Sequence, residues 1–428
     1  MSHFRASPTL RMEPMLDGYN DNSLLQASCQ TVGNPMLARM AALYAEQRDT
    51  KRASCARLVD YGCSGGRNST APVQTLTQTL RSSLPALSVE CVLQDLPSNT
   101  WNRVMLQEAP KLTTAFDANV HVLCVGNSFY NQICADESVD LAYSYVAAHF
   151  LSDSPPLPSH VLMHEADENE RGAWRVQAAN DWERFLLHRA RELKRGGKMM
   201  ISTMSRDSSG YSWQQVSHLV WENIQAACSR GSLTTREAEA LCIPACLRSE
   251  AEILAPFNAS SPVAGLLEPQ LLEFARTQVH GERTLPHAVL AARVRRRIES
   301  VWGGMFVTQL MRLGRDDATA RAVLQDVWDG VEEILVHDTS RAAAGARVMP
   351  RRSPTTPART GAVIRSRYPM GPRILDDTLA QRGASDGHRG RADDDHEGRV
   401  RPAATLFSAS LPAIVPPAGA TDRLGYAD

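Results

Sequence analysis

The chain of 428 residues lacks any apolar run of the roughly 20 residues that a membrane helix requires. It lacks a dominant charge: 46 Lys and Arg stand against 47 Asp and Glu, for a formal net charge of -1. No electrostatic footprint for a nucleic acid or an anionic membrane surface follows from that balance. Cysteine is sparse and unpaired in pattern. There are nine, an odd number, and Cys242 and Cys246 have no partner CxxC motif. Structural zinc and a disulfide framework are thereby disfavoured, and buried thiols in a reducing compartment are expected. Met1–Met15 shows no basic head followed by an apolar stretch, so no secretory leader is read and a cytoplasmic location is expected. There is no internal repeat and no metal-ligand cluster.

Alternating apolar runs and helical stretches are present instead. Arg57–Asp60, Val89–Gln94, Val120–Val125, Val139–Ser144 and Lys198–Thr203 read as strands. Pro35–Tyr44, Pro72–Leu84 and Asn180–Leu193 read as helices between them. That alternation predicts an α/β fold, a mostly parallel sheet covered on both faces, with ligands bound beyond the carboxyl ends of its strands. Residues 207–338 change character. They are rich in Ala, Leu, Glu and Arg, show no strand run, and predict a helical cap. From 339 to 428 Arg, Pro, Gly and Asp dominate, and a disordered tail is expected. The expected organisation is therefore a leading segment over 1–55, a sheet domain over 56–206, the cap and the tail.

The segment Leu58-Val59-Asp60-Tyr61-Gly62-Cys63-Ser64-Gly65-Gly66-Arg67-Asn68 carries the most information. A strand runs into an acid, then a glycine-rich bend, then a helix. Glycine permits positive φ and a close backbone approach to a ligand, and the helix start presents unsatisfied N–H groups. The acid before the glycines suits a ligand with a cationic group. Gly62, Gly65 and Gly66 do not have G-x-G-x-x-G spacing, which weighs against a dinucleotide oxidoreductase. Asp95, at the tip of the next strand, suits a ribose. The Arg195-Gly196-Gly197 stop before Lys198 is similar to the helix–Gly-Gly–strand junction of class I methyltransferases, and reads also as a glycine helix C-cap.

The order of motifs resembles the SABATH methyltransferases, named for salicylic acid, benzoic acid and theobromine. Tyr19-Asn20-Asp21-Asn22-Ser23-Leu24-Leu25-Gln26 is similar to their Y-x-x-N-S-x-x-Q. Asp60–Asn68 resembles D-L-G-C-S-S-G-P-N, and Gln94–Asn102 resembles N-D-L-P-x-N-D-F-N. Asn127-Ser128-Phe129-Tyr130 is similar to G-S-F-Y, His149-Phe150-Leu151-Ser152 to H-W-L-S, and Ile243-Pro244 to an I-P of the cap. Arg67 stands where the family has proline, and Phe150 where it has tryptophan. Tyr145 lies one residue farther from His149 than the family tyrosine does.

The resemblance implies a Rossmann-like class I methyltransferase sheet at 56–206. It implies S-adenosylmethionine as cofactor, held by Tyr19, Ser23, Asp60, Gly62, Asn68, Asp95, Leu96, Ser128 and Phe129. Asp60 would face the methionine ammonium, Asp95 the ribose, and Ser128 and Phe129 the adenine. Residues 1–55 would close over cofactor and substrate. Gln26, aided by a cap tryptophan for which Trp221 is the candidate, would position a small-molecule methyl acceptor. That acceptor is a carboxylic acid in the favoured reading. A phenol or an amine is the second reading, with His149 then the candidate base. Two functions of a different class stay open beside these, a non-catalytic cofactor-binding protein and an NAD-dependent oxidoreductase. The resemblance further implies a homodimer, with neither a nucleic acid nor a membrane as partner.

Overall fold

Seven strands form one sheet in the order β3-β2-β1-β4-β5-β7-β6. The strands are β1 (Cys55–Tyr61), β2 (Ser88–Asp95), β3 (Val120–Gly126), β4 (Val139–Tyr145), β5 (Leu193–Ser202), β6 (Leu267–Phe274) and β7 (Thr360–Ser366). The computed structural model describes residues 23–47, 54–115, 119–208, 210–211, 213–274, 285–338 and 360–366. All of these fall in one compact unit, Met1–Pro369. Strands β1 to β5 pair in parallel, and β7 runs antiparallel to both β5 and β6. Chain order reverses between β1 and β4, the switch point at which an open α/β sheet leaves a crevice beyond its carboxyl ends.

The central strands β1 and β4 are buried along most of their length because both faces are covered. On β1, Ala56 and Leu58 enter one core while Val59 and Tyr61 enter the other. The first core is closed by α1 (Leu24–Gln47), through Met36, Leu37, Met40 and Tyr44, and by α2 (Thr70–Ser83), through Val73, Leu76 and Leu80. The second is closed by α4 (Glu168–Glu192), through Trp182, Phe185, Leu186 and Ala190. Between β2 and β3 lies α3 (101–115), which contains a π-helical turn at Val104–Glu108. The alternation seen on β3, where Leu123 is exposed, marks it as the sheet edge.

The cap builds a third core from α5 (Gln214–Ser229), α8 (His287–Arg312) and α9 (Asp317–His337). Phe306 stacks on Trp328 with ring centroids 5.9 Å apart. Short helices α6 (Thr235–Ala240) and α7 (Glu250–Leu254) each begin with a capping box, Thr234 with Glu237 and Ser249 with Glu252. Phe150 joins this core and bridges to Ala245, so the segment after β4 is shared by sheet and cap.

Three expectations need correction. The cap segment does contain a strand: β6 completes the sheet edge, with Pro269 at a register irregularity, a position where a missing N–H costs least. The stretch expected to be a disordered tail contains β7, whose Val363 and Ile364 pair with Met200 and Met199; a short β-branched run was hidden in an Arg- and Pro-rich context. The rest of 339–428 lies outside the described residues. Gly196-Gly197 is not a helix cap. Helix α4 ends at Glu192, and the glycines sit inside β5 where its register against β4 shifts. Gly196 has φ +76°, and a Cβ on Gly197 would meet the Lys194 carbonyl at 2.8 Å and the Val139 carbonyl at 3.0 Å.

Candidate active site

The tips of β1, β2 and β3 converge on one crevice. Asp60 is buried near the end of β1 and accepts a hydrogen bond from Ser69 Oγ at 2.6 Å. Burial pushes its carboxyl up to about 7, opposed by hydrogen bonds from Ser69 and Tyr143. A carboxylate so poorly solvated is prepared for a cation. Gly62 has φ +86°, and a Cβ there would fall onto that of Ala147 and lie 3.7 Å from Phe129 Cε1. Only glycine lets the turn pass between them.

Asp95 is half-buried at the tip of β2. Its Oδ2 accepts from the Ser64 N–H at 2.6 Å and its Oδ1 from the Leu96 N–H at 2.7 Å. Burial raises its pKa, and those two amides oppose the rise. Each oxygen retains lone-pair capacity for a diol. Leu96 is fixed through its carbonyl, which accepts from the Trp101 indole at 3.0 Å. The Asn99 side chain donates to the Ser64 carbonyl at 2.8 Å, closing the turn, where Ser64 itself has φ +49°. At the end of β3, Ser128 Oγ accepts from the Tyr130 N–H at 3.3 Å, and Phe129 packs edge-on to Phe185 at 5.6 Å.

Helix α1 is tied to the turn through Asn68. The Asn68 side chain donates to Ser23 Oγ at 3.0 Å, and its carbonyl accepts from the Gln30 amide. Ser23 and Asn68 are thus linked to Asp60, which accepts from Ser69 of the same Arg67–Ser69 turn. Gln26 lies on the same helix, half-buried, with Oε1 shielded from solvent and without a hydrogen-bond partner among the described residues. Tyr19 lies outside the described residues.

His149 is buried, and neither ring nitrogen has a hydrogen-bond partner among the described residues. Burial, and then the nearby Arg248 charge, lower its pKa to about 3. Arg248 itself is buried and donates to the Ala148 and Ala178 carbonyls at 2.7 and 3.0 Å. The imidazole is therefore neutral at physiological pH and a weak base. Its ring meets Trp213 at 5.3 Å and Phe150 at 4.3 Å. Trp221, the cap tryptophan candidate, packs 5.7 Å from His160. Trp213 is the indole at His149, and sequence reasoning missed it because it starts α5 from a loop without a motif.

Gln94 was missed as well. It is fully buried, its carbonyl accepts from the Gly62 and Cys63 N–H groups at 2.9 Å, and its side chain spans from Gly62 to the Asn127 carbonyl. A glutamine closing the buried run Cys91-Val92-Leu93 is the signal that could have exposed it. A separate cavity of about 440 Å³ is lined by His164, Glu165, Arg206 and Glu252 among others. None of the predicted site residues lines it, and Arg206 is already paired with Glu252 at 2.9 Å. Among the described residues no group of three His, Cys, Asp or Glu side chains is arranged to hold a metal ion. No described helix is long and apolar enough to cross a membrane.

Residues 16–259, more than half of the chain, match the family model described as SAM dependent carboxyl methyltransferase. The chain belongs to that family. Membership agrees with the SABATH resemblance carried by the motifs from Tyr19 to Pro244, and S-adenosylmethionine is the family's cofactor. Among similar curated proteins, an O-methyltransferase, acrG, of Aspergillus aculeatus is 30% identical over 195 residues, 44% of this chain and 50% of the relative. Indole-3-acetate O-methyltransferase 1 of Oryza sativa subsp. japonica is 29% identical over 181 residues, 35% of this chain and 45% of the relative. The aligned region thus spans about half the length of these relatives. Among solved structures, loganic acid methyltransferase with SAH superposes with a TM-score of 0.65 at 16% identity, over 83% of this chain and 99% of that one. This likeness shows that the chain has the same Rossmann-like fold.

Proposed function

We propose that the protein transfers the methyl group of S-adenosylmethionine to the carboxylate of a small organic acid, giving a methyl ester. The cofactor, when bound, supplies an electrophilic methyl group. The crevice fits it: a buried carboxylate at Asp60 seeks a cation, Asp95 offers two oxygens to a diol, and Phe129 offers an aromatic face.

One observation carries the choice of acceptor. His149, the candidate base, is held at about 3, too low to take a proton from a phenol or an ammonium at neutral pH. A carboxylic acid needs no such help, because it is already ionised at neutral pH. The single N–H of the neutral His149 ring, whose nitrogens have no partner among the described residues, and the side-chain NH2 of Gln26 are the donors in this reading, and Trp213 lies 5.3 Å from the imidazole. Holding acceptor and methyl donor in line supplies roughly 7–11 kcal/mol in favourable systems. This reading gives Trp213 the part that the resemblance suggested for Trp221.

The test is incubation of the purified chain with methyl-labelled cofactor and a panel of carboxylic acids, phenols and amines. Base-labile label on an acid, recovered as a methyl ester, is the expected product. Base-stable label on a phenol or amine would refute the acceptor class. A cytoplasmic location is supported by the cysteines: all nine are described, and none is in a disulfide. A fluorescent fusion imaged in cells checks it.

A further inference from the structure

Glu192 and Arg189 lie at the end of α4, and both side chains are fully buried. The guanidinium donates through Nε and a terminal nitrogen to the two carboxylate oxygens, at 2.9 and 2.7 Å. Burying such a pair costs several kcal/mol per ion before pairing, and apolar replacements are often neutral or stabilising. Packing alone therefore does not account for its presence here.

Its remaining hydrogen bonds run to the loop after β3 and to the end of β1. The Arg189 guanidinium donates to the Phe129 carbonyl at 2.7 Å and to the Asn131 carbonyl at 2.9 Å. Glu192 accepts from the N–H groups of Ile133 and Cys134 and from the Tyr61 hydroxyl. Residues 127–138 contain no helix or strand, so these backbone groups lack a ladder of their own. The same guanidinium lies over the Tyr61 ring, 4.1 Å from its centroid, and 5.1 Å from that of Phe185. Tyr61 directly precedes Gly62, where an added Cβ would come within 3.7 Å of Phe129, and Phe129 packs on Phe185. One ion pair thus locks the loop carrying Phe129 to the turn at the end of β1.

We infer that Arg189 and Glu192 are positioning residues that hold Phe129 as the adenine wall and thereby set affinity for the nucleoside half of the cofactor. The inference rests on the cofactor reading above, since neither side chain is assigned a contact with the ligand. Arg189→Met and Arg189→Lys are the variants. Lysine keeps the charge but not the fork that serves two carbonyls and a carboxylate together.

The experiment measures binding of S-adenosylhomocysteine and of adenosine by calorimetry, with steady-state kinetics in both substrates. About a tenfold loss of affinity for both ligands is expected, the scale of one charge-assisted hydrogen bond. The KM for S-adenosylmethionine should rise by the same factor while the KM for the acceptor stays put. A purely structural role would instead lower the melting temperature and leave both affinities unchanged in the folded fraction, and that result overturns the inference. If the methionine variant does not fold, the lysine variant decides by the same criterion. A wild-type protein that binds neither ligand would overturn the cofactor reading itself, and the inference with it.

Discussion

The Tyr145 hydroxyl, at the end of β4, donates to Asn34 Oδ1 at 2.9 Å, and its ring fills the space beside Gly33. A Cβ on Gly33 would lie 2.6 Å from Tyr145 Cε1 and 2.9 Å from Cζ. This contact seats α1, which carries Ser23 and Gln26, on the sheet. Gly33→Ala must therefore displace either the ring or the helix. We expect it to cost about 1–3 kcal/mol of stability, as overpacking does, and to lower kcat/KM for the acceptor. Tyr145→Phe removes only the hydrogen bond and should cost about 1 kcal/mol. Denaturant unfolding and steady-state kinetics of the two variants check this order.

Asp60 links cofactor binding to pH. Its raised pKa means that, between the ordinary value of 3.8 and about 7, the native carboxyl holds a proton that the unfolded chain has lost. The cofactor-free protein should accordingly lose stability as pH rises through that window. An ammonium bound against Asp60, as the proposed cofactor site has it, would reverse the preference and pull the proton off. Cofactor affinity is expected to rise between about pH 6 and 8, by up to about tenfold per unit below the pKa. Calorimetry in buffers of different ionisation enthalpy should show proton release on binding near neutrality. Asp60→Asn should abolish both the release and the pH dependence, and weaken binding by about one to two orders of magnitude.

The parallel sheet was readable because strands such as Val89–Gln94 and Val120–Val125 are short, mostly apolar runs that alternate with helical stretches. The placement of Asp60, Asp95 and Gly62 at the strand tips was readable because each closes an apolar run at the point where the chain turns. What the sequence hid had physical causes. Strands β6 and β7 form an antiparallel pair far apart in the chain, and only pairing distinguishes their short runs from loop. The Arg189–Glu192 pair looked like two more charges on an amphipathic helix, because burial is not written in residue type. Which tryptophan lies beside His149 was unreadable for the same reason: Trp213 and Trp221 are eight positions apart on and beside one helix, and orientation alone separates them.

His149 offers a separation of stability from function. Its pKa of about 3 lies below the ordinary 6.5. Between those values the unfolded chain binds a proton that the native state refuses, so stability is full above about 6.5 and is lost as pH falls toward 3. His149→Leu removes this component and two orphaned polar atoms while roughly keeping volume. The variant should be at least as stable as wild type near pH 5. Its KM for a carboxylic acid should nonetheless rise about 10- to 100-fold, as expected when a hydrogen-bonding site loses its donor. Thermal melts across pH, beside kinetics at neutral pH, test both halves.

Strand β7 is the part of the fold most exposed to a single change. Val363 pairs with Met200 of β5 on one side and with Leu271 of β6 on the other. Proline has no N–H to give the ladder and is tolerated in a sheet essentially at edges or bulges. Pro269 shows the tolerated case, at the outer strand and beside a register shift. Val363→Pro places the same residue between two partners, where it breaks the ladder and detaches β6 from β5. We expect the largest loss of stability of any substitution named here, about 3 kcal/mol or more. Hydrogen exchange should show the amides of β5 and β6 deprotected while those of β1 and β2 remain slow. Unchanged protection in β6 would mean that β7 does not pair as observed.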